Sequence, residues 1–158
     1  VCGAKTPIIG HDQDECLTMA TEIEAITGEK PKIFAGSLTE DAFAEKLVTD
    51  IVDAYGRIDV LVNNAGRLCA GGSFNDEALM EKYDLVMGIN VRAMMKMTTL
   101  CVPHLERTGG CVVNTSSIAA FGPCCSAVYD ISKAAVNALT RCAAVDLGQR
   151  GIRVNSIK

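Results

Sequence analysis

The chain has 158 residues, 49% of them hydrophobic and only 4% aromatic, and its formal net charge is −4. This length allows one domain with a real core and excludes two comfortable ones, so residues 1–158 are taken as a single domain. A net negative charge gives no basic surface for nucleic acid or an anionic membrane, so neither is expected as a partner.

Short apolar runs alternate with amphipathic helical patterns along the whole chain. In chain order, the patterns predict a strand over 5–10, a helix over 14–26, a strand over 32–36, a helix that ends at Tyr55, a strand over 58–62, a helix over 79–105, a strand over 110–116, a helix over 128–147 and a strand over 152–157.

Four local signals accompany these elements. Pro7 weakens the first strand. Ser37-x-x-Glu40 is a capping-box pattern and predicts a helix start, and Gly56 ends that helix in the left-handed conformation. The run Ile58–Val62 predicts a strand buried on both faces. The helix over 128–147 is apolar on most of its circumference, which indicates cover from a partner subunit.

The alternation of strands and helices predicts the fold class. It favours right-handed crossovers and an α/β fold with a doubly wound parallel sheet, a Rossmann-type three-layer α/β/α arrangement. Ligands of such sheets bind at the carboxyl ends of the strands. The polar motifs of this chain follow such strand ends.

The eight cysteines are interpreted as small buried thiols of a reducing compartment. No C-x-x-C pair and no histidine at metal-ligand spacing occurs, so no metal site is expected. With no signal peptide and no apolar run of membrane length recognised, the expected localisation is cytoplasmic.

Tyr129 and Lys133 carry the strongest chemical signal. Residues i and i+4 of a helix share one face, so the ammonium should lie close to the phenol. A free phenol titrates near pH ~10, and a nearby cation favours the phenolate. Such a pair could exchange a proton with a substrate oxygen, although Y-x-x-x-K alone is a weak pattern.

Three further features strengthen this interpretation. Asn63-Asn64-Ala65-Gly66 directly follows the strand over 58–62, where small residues let the backbone approach a ligand. Ser116-Ser117 ends the strand over 110–116. Asn90 lies in the middle of a long helix, where asparagine competes with helical hydrogen bonding.

Together these residues resemble the short-chain dehydrogenase/reductase family: N-N-A-G, an asparagine in the next helix, S-S after a strand, and Y-x-x-x-K opening the next helix. The local sequence is most similar to 3-oxoacyl-[acyl-carrier-protein] reductase-like members. Gly3-Ala4-Lys5 resembles the turn into the family's second strand, and Arg153–Ile157 resembles the strand after the tyrosine-bearing helix.

The resemblance implies a catalytic set. Tyr129 is then the general acid/base, Lys133 favours its phenolate and binds the nicotinamide ribose, and Ser117 holds the substrate oxygen. Ser116 is one residue away, and the choice of Ser117 depends on the alignment. Asn90 is implied to anchor a water that links Lys133 to solvent.

The resemblance also implies residues that bind the cofactor. Asn64, Ala65 and Gly66 would line the cofactor near its adenosine ribose. Asp12 follows the first predicted strand, and an acidic residue there favours NAD, with NADP possible. Where the family often has Asp-Val-Thr, this chain has Ser37 and Leu38 before Thr39, and Ser37 offers adenine an uncharged acceptor.

The family's T-G-x-x-x-G-x-G loop is not found in the sequence. We therefore expect a fragment of a longer protein that lacks the first strand and the last part of the full fold, with unpaired strand edges at the gap. The expected activity is hydride transfer between a nicotinamide cofactor and a carbonyl or secondary alcohol, in a homodimer or homotetramer. The alternative is a non-catalytic relative that only binds dinucleotide or oligomerises.

Overall fold

The computed structural model describes residues 4–158. Cys2, and Gly3 of the predicted Gly3-Ala4-Lys5 turn, lie outside the described residues. Five strands alternate with helices as predicted. The strands are β1 (Ile8–Gly10), β2 (Ile33–Ala35), β3 (Val60–Asn63), β4 (Cys111–Thr115) and β5 (Arg153–Ile157). The helices are α1 (Gln13–Thr27), α2 (Asp41–Tyr55), α3 (Leu79–Met87), α4 (Ala93–Thr108) and α5 (Ala127–Gly148).

All strand pairs are parallel, and they form two separate groups. β1 pairs with β2, and β3, β4 and β5 form a three-stranded sheet in that order. A cleft of about 270 Å³ lies between the groups, with Ile9 of β1 and Val62 of β3 in its lining. The doubly wound α/β prediction, with two strand groups that lack a shared neighbour, is confirmed.

The main core lies between the three-stranded sheet and helices α2, α4 and α5. Leu47, Leu105, Val112 and Ile152 are at most 1% exposed within it. Burying a side chain such as Leu105 contributes about 1.5–3 kcal/mol relative to leaving it exposed. A smaller cluster of Ile8, Cys16 and Ala20 joins β1 to α1.

The prediction that β3 is buried on both faces is wrong. Val60 and Val62 are 53% and 57% exposed. Within residues 4–158, Val62 lines the open cleft between the two strand groups rather than packing against a further layer.

The predicted capping box at Ser37-x-x-Glu40 is also wrong. The Ser37 hydroxyl is hydrogen-bonded to the Thr39 hydroxyl at 2.7 Å, and α2 begins at Asp41 with Glu40 as a cap that makes no side-chain hydrogen bond. A local turn, closed by the Glu40 amide on the Ser37 carbonyl, takes the place of the cap. The predicted helix end is confirmed, since Gly56 has φ 76°.

Most cysteines are not buried, contrary to the sequence prediction. Among the described residues, Cys16 and Cys101 are buried, and burial raises the pKa of Cys101 to about 12. The other thiols lie on loops, strand ends and the outer face of α5; Cys69 and Cys111 are half-buried, and Cys124, Cys125 and Cys142 are exposed.

One continuous helical segment, Leu79–Thr108, is long and apolar enough by length and composition to cross a membrane. The expectation of no apolar run of that length is therefore wrong. Met97, Cys101 and Leu105 of this segment belong to the main core, as in an interior helix.

Candidate active site

The carboxyl ends of β3 and β4 bring the predicted site residues to one edge of the sheet. The loop after β3 carries Asn64, Ala65 and Gly66, and Ser116 and Ser117 follow β4. The two strands are neighbours in register, with Asn63 opposite Asn114. The Thr115 hydroxyl donates to Asn64 Oδ1 at 3.0 Å and links the two strand ends.

Helix α5 presents Tyr129 and Lys133 to this edge. Its N-cap is Ser126, whose Oγ accepts from the Tyr129 amide at 3.4 Å. The Lys133 ammonium lies 5.6 Å from the centroid of the Tyr129 ring. The side chains therefore share one face of the helix, as the i, i+4 spacing predicts.

Lys133 is a buried cation. Its residue is 3% exposed, and Nζ donates to the Thr115 carbonyl at 2.8 Å. Desolvation lowers the pKa of the Lys133 ammonium. An ammonium has three N–H donors, and within the described part of the chain the other two have no hydrogen-bond partner. Lys133 therefore has two N–H groups available to a ligand at the end of β4.

Asn90 lies in a π-helical turn, Gly88–Arg92, between α3 and α4. Its side chain is fully buried. Oδ1 accepts from the Arg67 amide at 2.7 Å, and Nδ2 donates to the Arg67 carbonyl at 3.0 Å and to Ser132 Oγ at 2.9 Å. π-turns occur often at functional sites. Here the turn places an asparagine that holds the loop after β3 against α5.

These contacts restrict the predicted water-anchoring role of Asn90. Both Nδ2 hydrogens are used, so a water there could bind only to the backbone carbonyl or to the remaining lone pair of Oδ1. Gly66 lies beside this group, since a Cβ at Gly66 would be 3.4 Å from Asn90 Oδ1 and 3.7 Å from Lys133 Nζ. The first part of the loop after β3 therefore lies next to the Lys133 ammonium.

The two serines after β4 have different environments. Ser116 is 5% exposed, and its hydroxyl donates to Asn137 Oδ1 at 2.7 Å. Ser117 is half-buried, and its Oγ accepts from the Ala119 amide at 3.2 Å at the start of a short 3₁₀ turn. The hydroxyl hydrogen of Ser117 is therefore free of a protein partner among the described contacts, which favours Ser117 over Ser116 for a ligand contact.

The predicted cofactor residues are only partly brought together. Leu38, Asn64 and Ala65 line the cleft of about 270 Å³. Asp12 and Ser37 follow the carboxyl ends of the neighbouring strands β1 and β2 and are not in that lining. Asp12 is the N-cap of α1, where its Oδ1 accepts from the amides of two residues at 2.9 Å each, Asp14 and Glu15.

A buried polar chain beneath the site was missed by sequence reasoning. Asn63 Nδ2 donates to Asn114 Oδ1 at 2.9 Å, and Asn114 Nδ2 donates to Thr140 Oγ1 at 3.0 Å. These hydrogen bonds connect β3 to β4 and β4 to α5. The signal was two asparagines, each near the end of an otherwise apolar strand, whose pairing depends on the strand register.

Comparisons with known proteins show the family of this chain. The family model described as short chain dehydrogenase matches residues 2–158. An "Uncharacterized oxidoreductase" of Thermotoga maritima is 36% identical over 98% of this chain and 61% of its own length. A "Meso-2,3-butanediol dehydrogenase" of Serratia marcescens is 35% identical over 76% of this chain and 47% of its own length.

A solved structure of a member of this family has a similar fold. The crystal structure of a short-chain dehydrogenase/reductase of unknown function from Caenorhabditis elegans, determined with cofactor, has a TM-score of 0.87 and 32% identity. The matched region covers 99% of this chain and 60% of the Caenorhabditis elegans chain. This chain thus spans about three fifths of the length of the Thermotoga protein and of this structure.

Proposed function

The chain belongs to the short-chain dehydrogenase family, and from that premise we propose that its protein transfers a hydride between a nicotinamide dinucleotide and a carbonyl or secondary alcohol. The observation that carries the proposal is the buried Lys133 ammonium beside the Tyr129 ring, with Asn90 and Ser132 fixing its surroundings. A buried cation without a carboxylate partner in the described residues is costly, and such groups cluster at functional sites.

The residues present fit a nicotinamide dinucleotide. Two N–H donors of Lys133 have no partner in the described part of the chain and are available to hydroxyl groups such as those of a ribose, and Gly66 leaves space next to them. The cleft lined by Asn64 and Ala65 extends from this point towards Leu38. Lys133, Gly66, Asn64 and Ala65 would therefore hold the cofactor, with Ser37 and Leu38 towards its adenine.

In the reducing direction, the Tyr129 hydroxyl would give its proton to the substrate oxygen, and Lys133 would stabilise the phenolate that remains. The Ser117 hydroxyl would donate to the same oxygen and hold it. Bound dinucleotide supplies the hydride to the substrate carbon. Asn90 would keep the loop after β3 in place and, through a water, pass a proton from solvent towards Lys133.

We propose NAD as the preferred cofactor because Asp12 lies at the carboxyl end of β1. A carboxylate there accepts from a ribose 2′-hydroxyl and repels a 2′-phosphate. Capping of α1 occupies Oδ1, which leaves Oδ2 of Asp12 for this contact. NADP remains the second candidate for the cofactor.

A second copy of the chain is proposed to cover the outer face of α4 and α5. An open groove of about 600 Å³ runs between these helices, with Met95, Val102, Leu139 and Cys142 in its lining, and Val145 of α5 is 73% exposed. This apolar face supports a homodimer or homotetramer. Sedimentation should detect the oligomer, and Val145→Glu should shift it towards monomer.

The free cysteines support a reducing compartment, and we propose cytoplasmic localisation.

The proposed reaction is tested with the protein expressed from its complete coding sequence. Small ketones and aldehydes are offered with NADH or NADPH that carries deuterium on the transferring nicotinamide carbon, and secondary alcohols with deuterium on the carbinol carbon are offered with NAD⁺ or NADP⁺. Deuterium on the carbinol carbon of the alcohol formed, or on the nicotinamide carbon of the reduced cofactor formed, supports the proposal. Saturable dinucleotide binding without turnover of any carbonyl or alcohol would favour the non-catalytic alternative.

A further inference from the structure

A cluster of thiols and a carboxylate lies beside the active-site helix and has no part in the reaction proposed above. Cys124 and Cys125 are exposed on the loop before α5, and Asp130 is in the first turn of that helix. The two Sγ atoms are 3.6 Å apart. One ligand atom from each of the three residues lies within 4.8 Å of the other two.

The carboxylate is held in a fixed position relative to the thiols. Asp130 Oδ2 accepts from the Cys124 amide at 3.0 Å and from the Cys125 amide at 3.5 Å. Asp130 Oδ1 is buried and has no hydrogen-bond partner among residues 4–158. A buried carboxylate oxygen without a donor is costly, and a cation removes that cost. The backbone amides of the loop thus hold the carboxylate beside the two thiols.

The spacing fits a small tetrahedral cation. Zinc binds thiolate sulfur at about 2.3 Å, so two sulfurs of one tetrahedral site lie about 3.8 Å apart, close to the separation seen here. A carboxylate oxygen at about 2.1 Å from the zinc would lie about 3.6 Å from each sulfur. This distance is inside the 4.8 Å within which the three ligand atoms lie. Two soft thiolates exclude calcium and magnesium, which take oxygen ligands.

We propose that Cys124, Cys125 and Asp130 bind one thiophilic divalent cation, zinc in the first instance. Each thiol loses a proton on binding, so the ion replaces two protons. The fourth position is open to water because both cysteines are exposed. The bound ion joins the loop before α5 to the first turn of that helix, which also carries Tyr129. Sequence reasoning passed over the site because adjacent cysteines are not the C-x-x-C pattern.

The test uses the protein from its complete coding sequence, stripped of metal and kept reduced. Titration with Co²⁺ should give a thiolate-to-cobalt charge-transfer band that saturates at one ion per chain. Zn²⁺ should displace the cobalt and raise the melting temperature, since an ion that binds only the folded state stabilises it. No saturable band with the native protein would overturn the proposal.

Three variants separate this site from other thiols. The double variant Cys124→Ser, Cys125→Ser should lose the band and the thermal shift, whereas Cys111→Ser, which alters a half-buried thiol on β4, should keep both. Asp130→Asn keeps an acceptor for the loop amides, and it should weaken binding by at least about tenfold, the lower end of the cost of losing even an outer-shell partner. An unchanged band in the double variant, or unchanged affinity in Asp130→Asn, would contradict the assigned ligands.

Discussion

Replacing Asn90 by alanine removes the contact that holds the loop after β3 against α5. Three hydrogen bonds are lost, two to the Arg67 backbone and one to Ser132 Oγ. At about 1 kcal/mol net for each bond, the free energy of unfolding should fall by about 3 kcal/mol. Ser132 keeps its bond to the Tyr129 carbonyl at 2.7 Å, so the cost should not grow much beyond this sum.

Urea unfolding measures this loss for Asn90→Ala. An m-value equal to that of the native protein would show that the variant exposes the same surface on unfolding, so the two free energies of unfolding can be compared. The matched control is Asn155→Ala, because Asn155 is exposed on β5, and its effect should be within about 0.5 kcal/mol. The KM for the dinucleotide should also rise in Asn90→Ala, since the loop with Gly66 is less restrained. A loss no larger than that of the control would refute the positioning role.

Three further predictions concern the site. Lys133→Met should abolish turnover yet be at least as stable as the native protein near neutral pH. The pKa of Lys133 is lowered in the folded state. The free energy of unfolding of the native protein should therefore rise as the pH increases from that lowered pKa towards the ordinary lysine value, and this contribution should be lost as the pH falls through the lowered pKa. Lys133→Met should lack this pH dependence, and a variant less stable than the native protein would count against the reasoning. Ser117→Ala should reduce kcat by about a hundredfold or more, whereas Ser116→Ala should lower stability by about 1 kcal/mol with kcat nearly unchanged; the reverse pattern in steady-state kinetics would exchange their roles. Asp12→Ser keeps a good helix cap but removes the charge, so the ratio of kcat/KM for NADH over NADPH should fall by about tenfold, and an unchanged ratio would remove Asp12 from cofactor selection.

Local patterns were the reliable part of the sequence prediction. The i, i+4 spacing of Tyr129 and Lys133 and the left-handed Gly56 depend on a few consecutive residues, and both are found as predicted. The prediction of a capping box at Ser37 was wrong because the Ser37 hydroxyl is hydrogen-bonded to a nearer partner, the Thr39 hydroxyl.

Features that depend on distant residues were not predictable in detail. The sequence indicates that Asn90 is unusual in a helix, but two of its side-chain hydrogen bonds are made with the backbone of Arg67, 23 residues away. The exposure of Val62 depends on what lies beside β3, and the approach of Asp130 to Cys124 depends on how the intervening loop turns back. Such contacts follow from tertiary packing, which periodicity does not encode.

The central claim, that the Tyr129 hydroxyl is the proton donor and acceptor, is tested most directly by Tyr129→Phe. The control is Tyr55→Phe, because Tyr55 also lies under a lysine, Lys32, at 6.0 Å but outside the site. The account predicts that Tyr129→Phe binds dinucleotide as the native protein does and loses about a hundredfold to ten-thousandfold in kcat, the usual contribution of general acid–base catalysis, while Tyr55→Phe turns over normally. Native turnover by Tyr129→Phe would contradict it.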